Sequence, residues 1–460
     1  MERWRMDLGK GLQLSELISA LSHALDMTEG QPPGHCMRCC WIGMQLADHL
    51  KLSAEERWEL YYTLLLKDLG CSSNAARICE LYGTDDLSFK RDFKWVDGSL
   101  GQVVRFVLQH TGKNEGVAER FRKLMRIARE GEELADEIIS TRCERGAAIA
   151  RDLGFSEQVC AGIHSLDEHW SGEGRPEGLK ADQIPLYARV ALLTQVVDVF
   201  HTASGGEAAL QEARARSGQW FDPELVQALE QVAQQPGFWQ TLAGPDLPAA
   251  VLALAPRGHQ VEVDDDYLDR VARAFGQVVD AKSPYTAGHS ERVSLYTDMI
   301  AEQLGLSEER RRWLRRGALL HDVGKLGVSN SILDKPGKLD QDEWIQVQNH
   351  ARFTEEILGR IGAFAELAKV AGAHHERLDG KGYPHGRKAE DISLDTRIIT
   401  TADIFDAITA ERPYRGATPI AKTLAIMEES VNTAIDERCF EALKQAVAIL
   451  EGSGEEVLAS

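Results

Sequence analysis

The sequence predicts an all-α fold in which one helical domain is used twice. Three observations carry this. Apolar residues recur at helical spacing through most of the 460 residues, and strand alternation is scarce. Pro- and Gly-rich breaks separate the helical runs. The order of residue types in the first half returns in the second.

Taking the chain in order, Leu14, Leu17, Ile18, Leu21 and Leu25 mark a helix within residues 8–30, and Pro32-Pro33 ends it. A second helix runs from Gly34 to about Leu50. Ser53, with Glu56 three places on, caps a third over Ala54–Leu66. Residues 83–100 are polar and charged and read as a loop or insertion. Helices resume from about Leu100 to Ala150; Gly172–Pro185 reads as a loop, Tyr187–His201 as a helix, and Asp222-Pro223 opens the last helix of this half. Pro236, Gly244, Pro245, Pro248, Pro256 and Gly258 interrupt the next stretch, where the one short strand candidate is His259–Val263. The expected domains are 1–240 and 265–455, joined by a linker over 241–264. Later helices are expected at Tyr267–Lys282, Thr286–Leu304, Glu308–Leu320, Asp342–Leu358 and Phe364–Ala373, with another around Ile398–Ile408.

Composition narrows the function classes. Fifty-two basic against 72 acidic residues give a net charge of −20, which argues against a surface that coats DNA, RNA or an anionic membrane. A small anion held by a local basic cluster stays possible. Eight cysteines without framework spacing read as reduced thiols, and the chain lacks an apolar signal core or membrane-length run, so a cytoplasmic protein is expected. His35, Cys36, Cys39 and Cys40 resemble half a zinc knuckle, but no second Cys/His pair completes it.

The repeat is specific. Gly34-His35-Cys36-Met37-Arg38 parallels Gly288-His289-Ser290-Glu291-Arg292 at an offset of 254, and Leu65–Gly70 falls on Leu319–Gly324 at the same offset. Further on the offset is 208. There Gly174, Pro176, Arg189 and Asp198 fall on Gly382, Pro384, Arg397 and Asp406. The difference of 46 residues is extra sequence in the first half.

Chemistry gathers in the second copy. His289, His321, Asp322, His350, His374, His375 and Asp403 lie in or at the ends of expected helices, where side chains converge in a bundle core. Five imidazoles and two carboxylates suit two divalent ions, Fe or Mn first, then Zn or Ni. Taken singly, each residue has an ordinary reading; Asp403, for example, as a partner of Arg397. The first copy carries His35, Lys67, Asp68, Arg142, Leu166, Asp167 and Gln195 at the matching places. It keeps the scaffold and loses the donors, so no catalysis is expected there.

These motifs resemble the HD-GYP subfamily of HD-domain metal-dependent phosphohydrolases. The residues are His321-Asp322-Val323-Gly324-Lys325, His374-His375-Glu376-Arg377-Leu378-Asp379-Gly380-Lys381-Gly382-Tyr383-Pro384, Asp403-Ile404-Phe405-Asp406-Ala407 and Arg412-Pro413-Tyr414-Arg415. The first half resembles a degenerate HD domain, regulatory or structural. The resemblance implies hydrolysis of cyclic di-GMP to pGpG or GMP, with 3′,3′-cyclic GMP-AMP as the alternative substrate. Another nucleotide phosphohydrolase or a non-catalytic binding protein are further alternatives. It implies that His289, His321, Asp322 and Asp403 hold one metal and Asp322, His350, His374 and His375 the other, with Asp322 and Lys325 as the catalytic pair. Lys325, Arg412 and Arg415 would bind substrate phosphates. Tyr285 stands where some members carry a third-metal Glu, so two ions are expected. Gly382, Tyr383 and Pro384 are expected to form a turn in which Gly takes unusual dihedrals, and in the family they are a contact surface for a GGDEF-type partner. A homodimer through the N-terminal half is a further expectation.

Overall fold

The computed structural model describes residues 12–113, 115–256, 261–410 and 416–459. Among these the chain is helical, with three isolated β-bridges and no extended strand. It divides into two compact units. One runs to Val263 and takes in Ser329–Ser331; the other comprises Asp264–Val328 and the chain from Ile332 onward.

In the first unit the His35–His49 helix is central. It packs against Leu14–Thr28, Ala54–Leu66, Leu186–Ser204 and Leu247–Ala253. Ser53 caps Ala54–Leu66 in a reciprocal box with Glu56. Two stretches differ from expectation. Residues 83–100 contain the helix Asp86–Phe93, whose start is capped by Asp85 and whose Phe89 packs with Ile78, Val96 and Phe106. Its polar surface hid one buried aromatic side. The interrupted stretch after Pro236 also folds, as Phe238–Ala243 and Leu247–Ala253. Pro248 does not break the latter, because at a helix start its missing N–H is not needed. Of the strand candidate, His259 and Gln260 lie outside the described residues, and residues 261–263 form no strand.

The second unit repeats the plan. The His289–Gln303 helix packs against Asp265–Asp280, Glu308–Leu320, Leu394–Thr409 and Glu437–Ala459. Gln341–Gly359 lies against Ala365–Ala371 and the short Val323–Gly327 turn. The expected start at Thr286 is a turn; the helix begins at His289, with Gly288 before it at φ 68.

Glycines show why the scaffold persists in both copies. A Cβ on Gly324 would lie 2.0 Å from the His350 carbonyl oxygen, and one on Gly70 would lie 1.9 Å from that of Arg142. A Cβ on Gly382 would meet Arg377 N at 2.4 Å, and one on Gly174 would meet His169 N at 2.1 Å. Backbones cross at these points, so only hydrogen fits. Gly382 has no positive φ, so its requirement is close approach rather than unusual dihedrals.

Candidate metal centre

The seven donors expected from the sequence come from five places in the second unit. His289 opens its helix, and His321 and Asp322 follow the end of Glu308–Leu320. His350 is midway along Gln341–Gly359, His374 and His375 follow Ala365–Ala371, and Asp403 lies on Leu394–Thr409. All are buried except His375, which is partly exposed.

Three imidazoles are oriented in one way. The Nδ1 of His321, His350 and His374 each donates to the carbonyl three residues earlier, at 2.6, 2.5 and 2.6 Å. His289 Nδ1 instead donates to Asp406 Oδ2 at 2.7 Å. With Nδ1 so engaged, each Nε2 is the atom turned to the interior, the one from which a metal-binding histidine offers its lone pair.

Asp322 divides these nitrogens into two sets. Its Oδ2 lies 3.4 Å from His289 Nε2 and 3.3 Å from His321 Nε2. Its Oδ1 lies 3.4 Å from His350 Nε2 and 3.7 Å from His374 Nε2. Asp403 Oδ1 joins the first set, 3.4 Å from His289 Nε2. His375 joins the second, where one donor atom from each of Asp322, His350, His374 and His375 falls within 4.8 Å of the others. Arg397 is bonded to Asp436 at 2.7 Å, so the ordinary reading of Asp403 as its partner does not hold.

Electrostatics agree with a cation site. Burial, helped by the neighbouring imidazoles, pushes His350 down to about 3, His375 to about 4, and His374 well below its usual range. Burial opposes the charge on Asp322, yet Lys325 and His321 hold it well below the usual carboxylate range. Asp403 is likewise held down against burial, by His321 foremost. Burial would lower His321 as well, but Asp322 and Asp403 bring it up to about 10. Two anions beside three imidazoles that burial keeps neutral, His350, His374 and His375, form a donor set that divalent cations match, and a cation would take the place of the proton that the carboxylates draw to His321. His321 Nε2 and Asp322 Oδ1 are buried with no hydrogen-bond partner among the described residues. Each such atom costs about 1–3 kcal/mol unless something satisfies it. Metal ions at these two faces would satisfy both.

Lys325 Nζ donates to Asp322 Oδ2 at 2.5 Å, and its side chain reaches the edge of the site. Arg412 and Arg415, expected to bind phosphate, lie outside the described residues. Asp406 was not among the expected site residues. It accepts the hydrogen bond from His289 Nδ1 and is itself clamped by Arg292 Nε at 2.6 Å. The signal was there, since His35, Arg38 and Asp198 recur as His289, Arg292 and Asp406.

The first unit keeps that clamp and loses the donors. His35 Nδ1 bonds Asp198 at 2.6 Å, and Arg38 Nε bonds the same carboxylate at 2.6 Å. Lys67 Nζ lies 3.1 Å from His35 Nε2 and also pairs with Asp68. Arg142 pairs with Asp167, and Lys94 meets Gln195 at 3.0 Å. Lys67 thus brings its own positive charge between the imidazole and the carboxylate. Cys36, Cys39, Cys40 and Cys71 are buried free thiols.

A family model described as HD domain matches residues 114–225 and 273–439, one segment in each half. The chain is 59% identical over 437 residues to the 3′3′-cGAMP-specific phosphodiesterase 3 of Vibrio cholerae, covering 95% of each. It is 40% identical over 200 residues to the cyclic di-GMP phosphodiesterase response regulator RpfG of Xanthomonas campestris, covering 43% of this chain and 52% of that one. Among solved structures it is similar to a cyclic GMP-AMP specific phosphodiesterase of V. cholerae. There the TM-score is 0.66 at 54% identity, with 95% of this chain and 98% of that chain covered.

Proposed function

The chain belongs to the HD domain family, and from that premise we propose that it is a metal-dependent phosphodiesterase of cyclic dinucleotides, acting on 3′,3′-cyclic GMP-AMP. The motifs alone put cyclic di-GMP first. The relative similar over nearly the full length reverses that order, since the relative named for cyclic di-GMP is matched over less than half of this chain. The reaction class is the same for both.

The observation that carries the chemistry is the division of Asp322, one oxygen toward His289 and His321 and the other toward His350 and His374. A single carboxylate so placed would offer one oxygen to each of two cations. Two divalent metals, when bound, supply Lewis acidity to the phosphodiester and lower the pKa of water. His289, His321, Asp322 and Asp403 would hold one; Asp322, His350, His374 and His375 would hold the other. Iron or manganese suits this imidazole–carboxylate set ahead of zinc or nickel. Asp406 and Arg292 fix the His289 ring. Lys325 moves its ammonium from Asp322 to a phosphate oxygen and stabilises the charge that develops there. Water oxygen bonds to phosphorus as the bond to a ribose 3′ oxygen breaks, leaving a linear dinucleotide with a 5′-phosphate. Arg412 and Arg415 serve the second phosphate as forked donors.

The finer assignments are ours as well. Residues 1–240, extended by the Leu247–Ala253 helix that packs on His35–His49, form a regulatory or structural domain that contributes a homodimer contact, and 265–455 form the catalytic domain. We place the enzyme in the cytoplasm, and its net charge of −20 argues against DNA, RNA or an anionic membrane as a partner; no helix among the described residues is long and apolar enough to cross a membrane. A GGDEF-type partner would meet only the rim of Gly382–Pro384, because the Tyr383 ring packs on His375. The test is metal analysis of the purified protein, followed by incubation with 3′,3′-cyclic GMP-AMP and cyclic di-GMP at equal concentration. Faster loss of the mixed dinucleotide supports the reading; faster loss of cyclic di-GMP restores the order read from the motifs.

A further inference from the structure

One aromatic feature beside the metal centre is not used by the chemistry above. The Tyr383 ring lies 4.7 Å from the His375 ring at 32°, and 6.2 Å from that of His350. The Tyr383 ring also meets the indole of Trp344 edge-on, 6.1 Å away at 79°. Trp344 is in the first turn of the helix that carries His350, and it is 45% exposed. An indole half open to water at the edge of a polar centre leaves apolar surface uncovered that a flat ligand can bury.

We propose that Trp344 is a stacking platform for one purine of the dinucleotide. The proposal rests on the phosphodiesterase reading and adds the residue that grips the base. Tyr383 contacts both the indole and the donor imidazole of His375, at 6.1 and 4.7 Å between ring centres. A nucleoside spans a comparable reach, from a phosphate at the metals through the ribose to the base. Every base has a π-face, so stacking on tryptophan supplies affinity without choosing between guanine and adenine. Trp344 therefore acts on substrate binding, while the donors and Lys325 act on the chemical step.

The test is steady-state kinetics of Trp344→Ala and Trp344→Phe in the full chain, with metal content measured on the same samples. Trp344→Ala raises KM about tenfold with kcat within about twofold and metal content unchanged, and Trp344→Phe restores most of the affinity. An unchanged KM in Trp344→Ala overturns the proposal. So does a joint fall in kcat and metal content, which marks a merely structural role. Wild-type protein that loads metal yet cleaves no cyclic dinucleotide overturns the parent reading and this one with it. That failure is recognisable because it appears before any substitution is made.

Discussion

Asp406 accepts the Nδ1 proton of His289 at 2.7 Å, and the two residues lie 117 positions apart in the chain. This bond fixes the tautomer that turns Nε2 toward Asp322 and Asp403. Replacing such a partner typically costs 10- to 100-fold in metal affinity or activity. Asp406→Asn is therefore expected to lower metal content and kcat by about that factor while the protein stays helical. Metal analysis and circular dichroism on the same sample check this.

His321→Ala combined with Asp322→Ala removes the carboxylate that faces both imidazole sets and one of the imidazoles, and turnover is expected to vanish. Lys67→Ala is expected to leave kcat per folded molecule unchanged. It still has a cost, because Asp68 then stays buried without its ammonium, a loss of about 3–5 kcal/mol. Thermal melts alongside activity separate the two effects. Turnover that survives the double substitution would sink the assignment.

Removing metal is expected to abolish activity and lower the melting temperature, because His321 Nε2 and Asp322 Oδ1 have no hydrogen-bond partner among the described residues. Adding manganese or ferrous iron back should restore both. A melting temperature indifferent to chelation counts against these residues as ligands.

Gly382→Ala is expected to reduce activity at least tenfold. Its Cβ would come within 2.5 Å of the His375 carbonyl oxygen, so the backbone that carries this imidazole must shift. Kinetics and metal content check it, with Gly386→Ala as a control. At Gly386 the strain is in φ (67), and the nearest atom to an added Cβ is 3.5 Å away.

In the first unit, His169 stacks on Trp220 at 4.1 Å, and burial, followed by Arg216 and Arg175, pushes its imidazole down to about 4. A histidine lowered in the folded state takes its proton more readily when unfolded. Its contribution is thus full above about pH 6.5 and is lost as pH falls toward 4. Partial exposure limits the loss to about 1–2 kcal/mol. Denaturation at pH 7 and pH 4.5 should show a smaller acid loss in His169→Phe, which keeps the ring stack.

Helix periodicity and the duplication were legible because both are local or ordered patterns in one dimension. The charge-rich helix Asp86–Phe93 was missed because one buried Phe89 in a polar run leaves almost no periodic signal. The turn residue Gly382 was noticed for the wrong reason, since a crossing backbone has no signature in sequence.

The sequence by itself determined which side chains are available, namely seven donors in one copy, and Lys67, Arg142, Leu166, Asp167 and Gln195 in place of five of them in the other. Only the tertiary structure decided that Asp322 turns one oxygen to each imidazole set and that Asp406, rather than a backbone carbonyl, holds His289. It also decided that Arg397 goes to Asp436 and leaves Asp403 for the cluster. The reason is physical: residue type sets what a side chain can bond. Which atom faces which depends on helices from distant parts of the chain packing to within ångströms of one another.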